Sequence, residues 1–187
     1  MSNQGALSSQ PQQPQQPQQA QGQSERYRVF RLLLDTVAHD PLDPPKRYHE
    51  GIFVETNPEN GKGTLFHVTG DIIAANGMRY EEKSSYTPTL SQYLHKSEQI
   101  GWIIPAHFHS KRISAILENL PTPSKQQGIN FWEPDPDTGL HPIIWTKENG
   151  DRYGPGEKRR PIIKCNEWTN LTAIPALRTA GVLHDLA

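Results

Sequence analysis

The sequence predicts one α+β domain in which an antiparallel β-meander packs on helices. Short β-rich runs in its first half are joined by Asn-Gly pairs, which are typical of hairpin turns. Apolar residues in its second half recur at helical spacing. A change in composition near residue 25 separates this domain, expected over residues 25–187, from a leading tail.

The tail, residues 1–24, consists almost entirely of Gln, Pro, Ser and Gly. It has too little apolar surface to offset the entropy of ordering its backbone, so we predict that it is disordered. Its Pro-Gln-Gln repeat favours polyproline II and suits either a solubilising leader or, less well, a docking segment for a proline-binding module.

The first half of the domain predicts four strands. Residues 26–37 alternate and then become apolar, as a strand entering a core would. Residues 48–56 and 63–71 form two β-rich runs around an Asn-Gly pair, which predicts a hairpin. A second Asn-Gly pair ends at Gly77 and predicts a further strand over residues 78–83.

The middle of the chain predicts a change from strand to helix. Residues 84–99 are expected to be a surface connection, and residues 100–104, "IGWII", a short buried strand. Pro105 is well placed as the first residue of a helix whose apolar face runs to Leu120. Residues 121–160 are rich in proline and glycine, and they predict a lid or substrate-facing excursion with a small hairpin at "HPIIWTKENGDRY".

The C-terminal segment predicts a helix that begins at Cys165, is interrupted at Pro175 and ends at Gly181. Trp168, Leu171 and Ile174 are expected to share an inward face with Cys165, so that a substrate reaches the thiol at the helix tip. The backbone N–H groups of a first helical turn have no partner in the helix and can bind an oxyanion.

The composition excludes several classes of protein. The net charge is −1, so no global basic field is present to hold nucleic acid. The chain lacks an 18-residue apolar run and the pattern of a signal peptide, which predicts a soluble cytoplasmic or nuclear protein without stable membrane insertion. Its single cysteine cannot form an internal disulfide, and a structural zinc site normally takes several.

Cys165 therefore has two interpretations. A buried structural thiol is the common one, whereas a nucleophile at a helix start needs a histidine base and a group that orients it. His49 and His67 lie in the two runs of the first predicted hairpin, where adjacent strands bring side chains together. His107 and His109 alternate as metal ligands often do, but no third ligand is apparent, so we predict no metal site.

Three phrases, "HEGIFV", "GTLFHVTGD" and "KCNEW", resemble the landmarks of the circularly permuted papain-like proteins. This class includes the lecithin:retinol acyltransferase group and small thiol peptidases. The chain looks most similar to small uncharacterised proteins of filamentous fungi that share the phrases "GTLFHV.GD" and "C.EWT". The order of elements agrees over residues 26–183, although Lys164 replaces the usual Asn before the cysteine and Asn166-Glu167-Trp168 replaces Glu-His-Phe after it.

The resemblance implies a permuted papain-like fold with Cys165 as nucleophile, His49 as general base and His67 as the residue that orients the imidazole. It implies a hydrolase or acyltransferase for an ester, thioester or amide, acting on a small-molecule or peptide acyl substrate without a cofactor. Glu167 would oppose the thiolate, whereas Lys164 would favour it. The alternative is a catalytically inactive member of the same fold that binds a protein partner.

Four residues are the candidate substrate-binding residues. Trp132 and Trp145 lie in the long excursion and would cover the cleft and select an apolar acyl group, while Lys164 and Trp168 flank the thiol. In the inactive alternative, the aromatic excursion is the recognition surface, and Cys165 is packed and inert.

Overall fold

The structure is a computed structural model that describes residues 26–186, so the tail predicted to be disordered lies outside the described residues. A five-stranded antiparallel sheet and a few short helices confirm the α+β class. The strands of this sheet are β1 (Tyr27–Leu34), β2 (His49–Asn57), β3 (Lys62–Gly70), β4 (Met78–Tyr86) and β5 (Leu94–Ile103). A separate pair consists of β6 (Gln127–Ile129) and β7 (Ile143–Trp145).

The helices are short. They are α1 (Pro105–His109), α2 (Arg112–Glu118), α3 (Cys165–Glu167) and α4 (Ile174–Thr179), with a 3-10 turn at Pro88–Leu90 and a π-helical turn at Trp168–Ala173. Within residues 26–186, no helix has the length and apolar character needed to cross a bilayer.

The main sheet is the predicted meander with one added strand. Its strand order is β4-β3-β2-β1-β5, so four consecutive strands lie side by side and β5 returns to the outer edge of β1. In the β2–β3 ladder Ile52 lies opposite Phe66, whereas the first residues of β2 pair only with β1. The regular β2–β3 ladder therefore ends at Ile52, three residues after His49 begins β2.

Strand alternation divides the apolar residues between two clusters. Ile52, Val54 and Phe66 belong to the main core, which includes Trp168 and the other buried residues of the C-terminal helical segment. Phe53 and Leu65 instead pack with Leu32 in a smaller cluster. The C-terminal helical segment thus packs on the face of the sheet that carries Ile52.

Two predictions in the middle of the chain were wrong. The surface connection over residues 84–99 is largely strand, because β4 extends to Tyr86 and β5 begins at Leu94. The side chains in the first part of β5 are exposed or partly exposed, so this part has no apolar run that would predict a strand. Its backbone nevertheless pairs with β1. The helix expected from Pro105 is two helices, since Lys111 has a left-handed backbone with φ of 61°.

The segment 121–160 is folded by short internal pairings and is attached to the β3–β4 turn by backbone hydrogen bonds from Met78 N–H to the Pro123 carbonyl and from Gln126 N–H to the Ile72 carbonyl. β6 and β7 form an antiparallel pair, and Thr146 bridges to Arg152 across the turn that contains Asn149-Gly150. Gly150 has a φ of 91°, a conformation that glycine adopts without strain. The chain therefore turns back where the Asn-Gly pair predicts.

The C-terminal helical segment runs through Pro175 without ending. Pro175 has no N–H to donate to a preceding carbonyl, and the turn before it is π-helical, with the wider i→i−5 bonding. The predicted inward face was wrong at Leu171, which is 70% exposed. Leu171 lies in the π-helical turn, where residues spaced by three do not stay on one face, and Thr169 and Ala173 take the buried positions instead.

Candidate active site

Three secondary-structure elements bring the predicted catalytic residues to one end of the sheet. His49 is the first residue of β2, His67 lies on β3, and Cys165 is the first residue of α3. His49 and Cys165 both line a cavity of about 430 Å³. The loop between β1 and β2 forms one wall of this cavity, and the β3–β4 turn and residues of β6 and β7 form others.

The two histidines are in direct contact. His49 Nε2 lies 2.7 Å from His67 Nδ1, and the rings meet edge to face at a centroid distance of 4.9 Å. Burial lowers the pKa of His49, with a further contribution from the positive charge of Lys83. Burial, the neighbouring His49 and Lys83 together lower the pKa of His67 to about 4. Both imidazoles are therefore neutral at physiological pH, as a general base must be.

The pKa of His67 predicts that the domain loses stability in mild acid. Between about pH 6.5 and about pH 4, the unfolded chain binds a proton at His67 that the folded chain excludes, so stability falls as pH falls through this window. We expect a loss of roughly 2–3 kcal/mol in the free energy of unfolding, measured by urea denaturation at several pH values. His67→Asn should flatten this part of the profile, and an equally steep profile in that variant would contradict the assignment.

Cys165 is buried at the helix start, where Asn166 and Glu50 are its polar neighbours. Its thiol donates to Asn166 Oδ1 at 3.7 Å. Burial raises the thiol pKa, as do the negative charges of Glu50 and Glu167, whereas the backbone N–H groups of Glu50 and Asn166 lower it. The resting sulphur is therefore a thiol, and among the described residues no hydrogen bond joins it to His49.

Glu50 joins the first residues of β2 to the helical segment that carries Cys165. Glu50 follows His49 on β2, so the two side chains project from opposite faces of the strand. Glu50 faces the C-terminal helical segment, whereas His49 lines the cavity from the end of the strand. Its carboxylate accepts from Asn166 Nδ2 at 2.9 Å and from Asn170 Nδ2 at 2.7 Å. Asn166 Nδ2 also donates to the Tyr48 carbonyl at 2.9 Å. These bonds hold the start of the helix, and with it the thiol, against the first residues of β2.

The charged residues beside Cys165 are paired. Lys164 Nζ lies 2.5 Å from Asp40 Oδ2, which also accepts from Gln127 Nε2 at 2.8 Å. Glu167 binds Arg47 Nη1 at 2.6 Å and caps the helix by accepting from the Lys164 N–H. Lys164 and Glu167 were predicted to have opposite effects on the thiolate. Both effects are weakened, because an oppositely charged residue of the β1–β2 loop lies beside each of them.

Of the candidate substrate-binding residues, only Lys164 lines the cavity. Trp168 is 1% exposed and is part of the core, so its assignment to the substrate site was wrong. Trp145 packs against the core from β7 beneath Arg159, and Trp132 is 75% exposed beside Arg152. The excursion reaches the cavity instead through Gln127 and Ile143.

The alternating histidines of α1 have other contacts. His109 Nε2 lies 3.0 Å from the Tyr27 hydroxyl group. Over residues 26–186, no group of three or more His, Cys, Asp or Glu side chains is placed to hold a metal ion.

Sequence reasoning missed the polar residues that hold the site together. Asn166 and Glu50 are adjacent in sequence to Cys165 and His49, and this adjacency is a signal that could have suggested them. Asp40 carried no such signal, because 124 residues separate it from Lys164. Only the folded chain shows that contact.

The comparisons with known proteins give a family for this chain. No curated protein and no solved structure matches the sequence significantly. One family model, described as a family of unknown function (DUF6540), matches residues 37–184. This range includes both contacting histidines, Cys165 and all of the cavity-lining residues except Thr36. Because the match covers most of the chain, the protein belongs to this family of unknown function.

Proposed function

We propose that this protein is a thiol-dependent hydrolase or acyltransferase that acts on an ester, thioester or amide through Cys165 and His49. One observation carries the proposal: Cys165, at a helix start, and His49, whose Nε2 contacts Nδ1 of the buried His67, line the same cavity. A nucleophile, a base and a group that orients the base are the parts that this chemistry requires.

The arrangement also supports a permuted papain-like fold as part of the proposal. A strand that begins with His49, a neighbouring strand that carries His67 and a later helix that begins with Cys165 follow the order that the sequence resemblance implies. In the lecithin:retinol acyltransferase group, the same order of elements supports thiol chemistry, which is the basis for proposing it here.

The proposed reaction begins with transfer of the Sγ proton to His49. The sulphur attacks the substrate carbonyl carbon, and first-turn backbone N–H groups bind the oxyanion. His49 then gives its proton to the leaving group as the carbon–heteroatom bond breaks, which leaves a thioester on Cys165. Water or another acceptor, deprotonated by His49, attacks this thioester and releases the acyl product, and the thiol regains its proton.

The cavity suits a substrate with an apolar acyl portion and a polar end. Its lining includes the apolar side chains of Ile72, Met78 and Ile143. It also includes the ion pair of Asp40 with Lys164, the residue before Cys165. A volume of about 430 Å³ lies within the usual size of ligand pockets, so a small molecule or one or two residues of a peptide would fit.

Alkylation of Cys165 by a small electrophile tests the pairing. Because His49 must be unprotonated to accept the thiol proton, the wild-type rate should rise through the lowered pKa of His49, below 6.5, and be high well below pH 8. His49→Ala should reduce the rate near pH 7 by about tenfold or more. His39→Ala provides a matched control, because His39 lines the same cavity and has no role in the proposed reaction.

A second candidate, a catalytically inactive binding module, is favoured by a specific observation. The resting thiol bonds to Asn166, and burial raises its pKa. This candidate predicts labelling only near the ordinary thiol pKa of ~8.5 or above, equally in wild type and His49→Ala. That result would overturn the enzyme proposal, whereas rapid labelling that depends on His49 would justify a screen of ester, thioester and amide substrates with Cys165→Ser as the negative control.

A further inference from the structure

A buried ring nitrogen in the histidine pair has no hydrogen-bond partner within residues 26–186. It is Nε2 of His67, a residue that is 2% exposed. Glu81 lies directly opposite His67 in the β3–β4 ladder, and its Oε1 is 3.6 Å from this nitrogen. Buried polar atoms are rarely left unsatisfied, so the position of this carboxylate requires an explanation.

The proton on His67 decides which atom of His49 can act as a base. A neutral imidazole carries one proton, on either Nδ1 or Nε2. If His67 carries it on Nε2, its Nδ1 accepts from His49 Nε2–H, and His49 Nδ1 keeps a free lone pair. If His67 carries the proton on Nδ1, this N–H donates to His49 Nε2. The single ring proton of His49 then occupies Nδ1, so neither nitrogen of His49 has a free lone pair with which to act as a base.

A carboxylate beside His67 Nε2 favours the first arrangement. An N–H pointing at Glu81 is attractive, whereas a lone pair pointing at the same negative oxygen is repulsive. Arg79 lies 3.6 Å from the other oxygen of Glu81, Oε2, whereas Lys83 Nζ lies 3.7 Å from Oε1, the oxygen that faces His67, and Glu50 follows His49 on β2. Among these charged groups, Glu81 is the one in an ion-pair contact with His67 Nε2.

We propose that Glu81 is a positioning residue that holds the His67 proton on Nε2 and so leaves Nδ1 of His49 free to accept the Cys165 proton. The functional consequence rests on the proposed thiol chemistry, but the position of the protons does not. The described contacts thus extend the site from a histidine pair to a Glu81–His67–His49 relay that ends in the cavity.

Nitrogen-15 NMR of the histidine-labelled full chain at pH 7.5 tests the inference directly, because protonated and unprotonated ring nitrogens differ widely in chemical shift. His49→Gln and His67→Gln spectra would assign the signals. In the wild type we expect His67 and His49 both to be protonated at Nε2. Glu81→Ala should move protons towards Nδ1 in both rings and reduce Cys165 alkylation at neutral pH by about tenfold or more.

Two variants make the test specific. Glu81→Gln keeps an oxygen that can accept from His67 Nε2–H, so it should retain the wild-type protonation pattern. Glu82→Ala changes the adjacent residue, which accepts from the Tyr80 hydroxyl group, and should leave both rings unchanged. A wild-type His67 protonated at Nδ1, or a Glu81→Ala spectrum identical to wild type, would overturn the role of Glu81. The expected protonation pattern combined with an unreactive Cys165 would support that role and overturn only the thiol chemistry.

Discussion

Replacing Trp168 with alanine is expected to lower the free energy of unfolding by about 3–5 kcal/mol, as large-to-small substitutions in cores do. The side chain is 1% exposed and packs near Tyr80, with a ring-centroid distance of 6.2 Å, between the C-terminal helical segment and the sheet. Alanine would leave a cavity next to the start of the helix that carries Cys165. Equilibrium denaturation in urea measures the change.

Trp132→Ala is the matched control, because it removes the same side chain from a position that is 75% exposed. Its ring lies 5.2 Å from the Arg152 guanidinium, an exposed contact that contributes about 0.5–1 kcal/mol. If Trp168→Ala does not fold, Trp168→Phe is expected to retain the fold with a smaller loss. Equal losses for Trp168→Ala and Trp132→Ala would show that the core assignment of Trp168 is wrong.

The contacts of the β1–β2 loop with the start of α3 are expected to limit the access of reagents to the Cys165 thiol. We call residues 36–47 of this loop the strap. None of the strap's side chains is buried, and the strap is joined to the start of α3 by charged contacts. Asp40 binds Lys164, the residue before the thiol, and Arg47 binds Glu167, two residues after it. Hydrogen bonds from Lys164 and Gln127 outweigh the effect of burial and hold the pKa of Asp40 below its ordinary value.

The double variant Asp40→Asn/Asp43→Asn is expected to increase the alkylation rate of Cys165 by about tenfold or more. It removes the charge from the contacts of Lys164 with Asp40 and Asp43, and a hydrogen bond to a charged group contributes about 1.5–3 kcal/mol. A difference of about 1.4 kcal/mol corresponds to tenfold in an equilibrium between closed and open strap. High salt should increase the wild-type rate in the same direction, because salt screens these pairs.

Removal of negative charge near a thiol also lowers the thiol pKa, and the pH profile separates this effect from strap opening. A change in pKa moves the midpoint of the rate profile, whereas freer access raises its plateau at high pH. Asp71→Asn is the control, since Asp71 lines the cavity but belongs to the β3–β4 turn. A plateau that is the same in the double variant, Asp71→Asn and wild type would contradict the strap as a barrier to the thiol.

The central part of the fold was predictable because its determinants are local. Alternating apolar residues and Asn-Gly turns predict the hairpins of β2, β3 and β4, and the change at Cys165 predicts the start of the C-terminal helical segment. The contact between His49 and His67 also follows from neighbouring strands, once the hairpin that joins them is assumed.

By itself, the amino-acid sequence determined the class of fold, the order of its strands along the chain and the residues with reactive side chains. Only the tertiary structure decided that β5 pairs with β1, that Leu171 faces solvent, and that Asp40 meets Lys164. The physical reason is the range of the interactions. Local propensities act between neighbouring residues and can be read in order, whereas burial and ion pairing join residues far apart in sequence and exist only after the chain has packed.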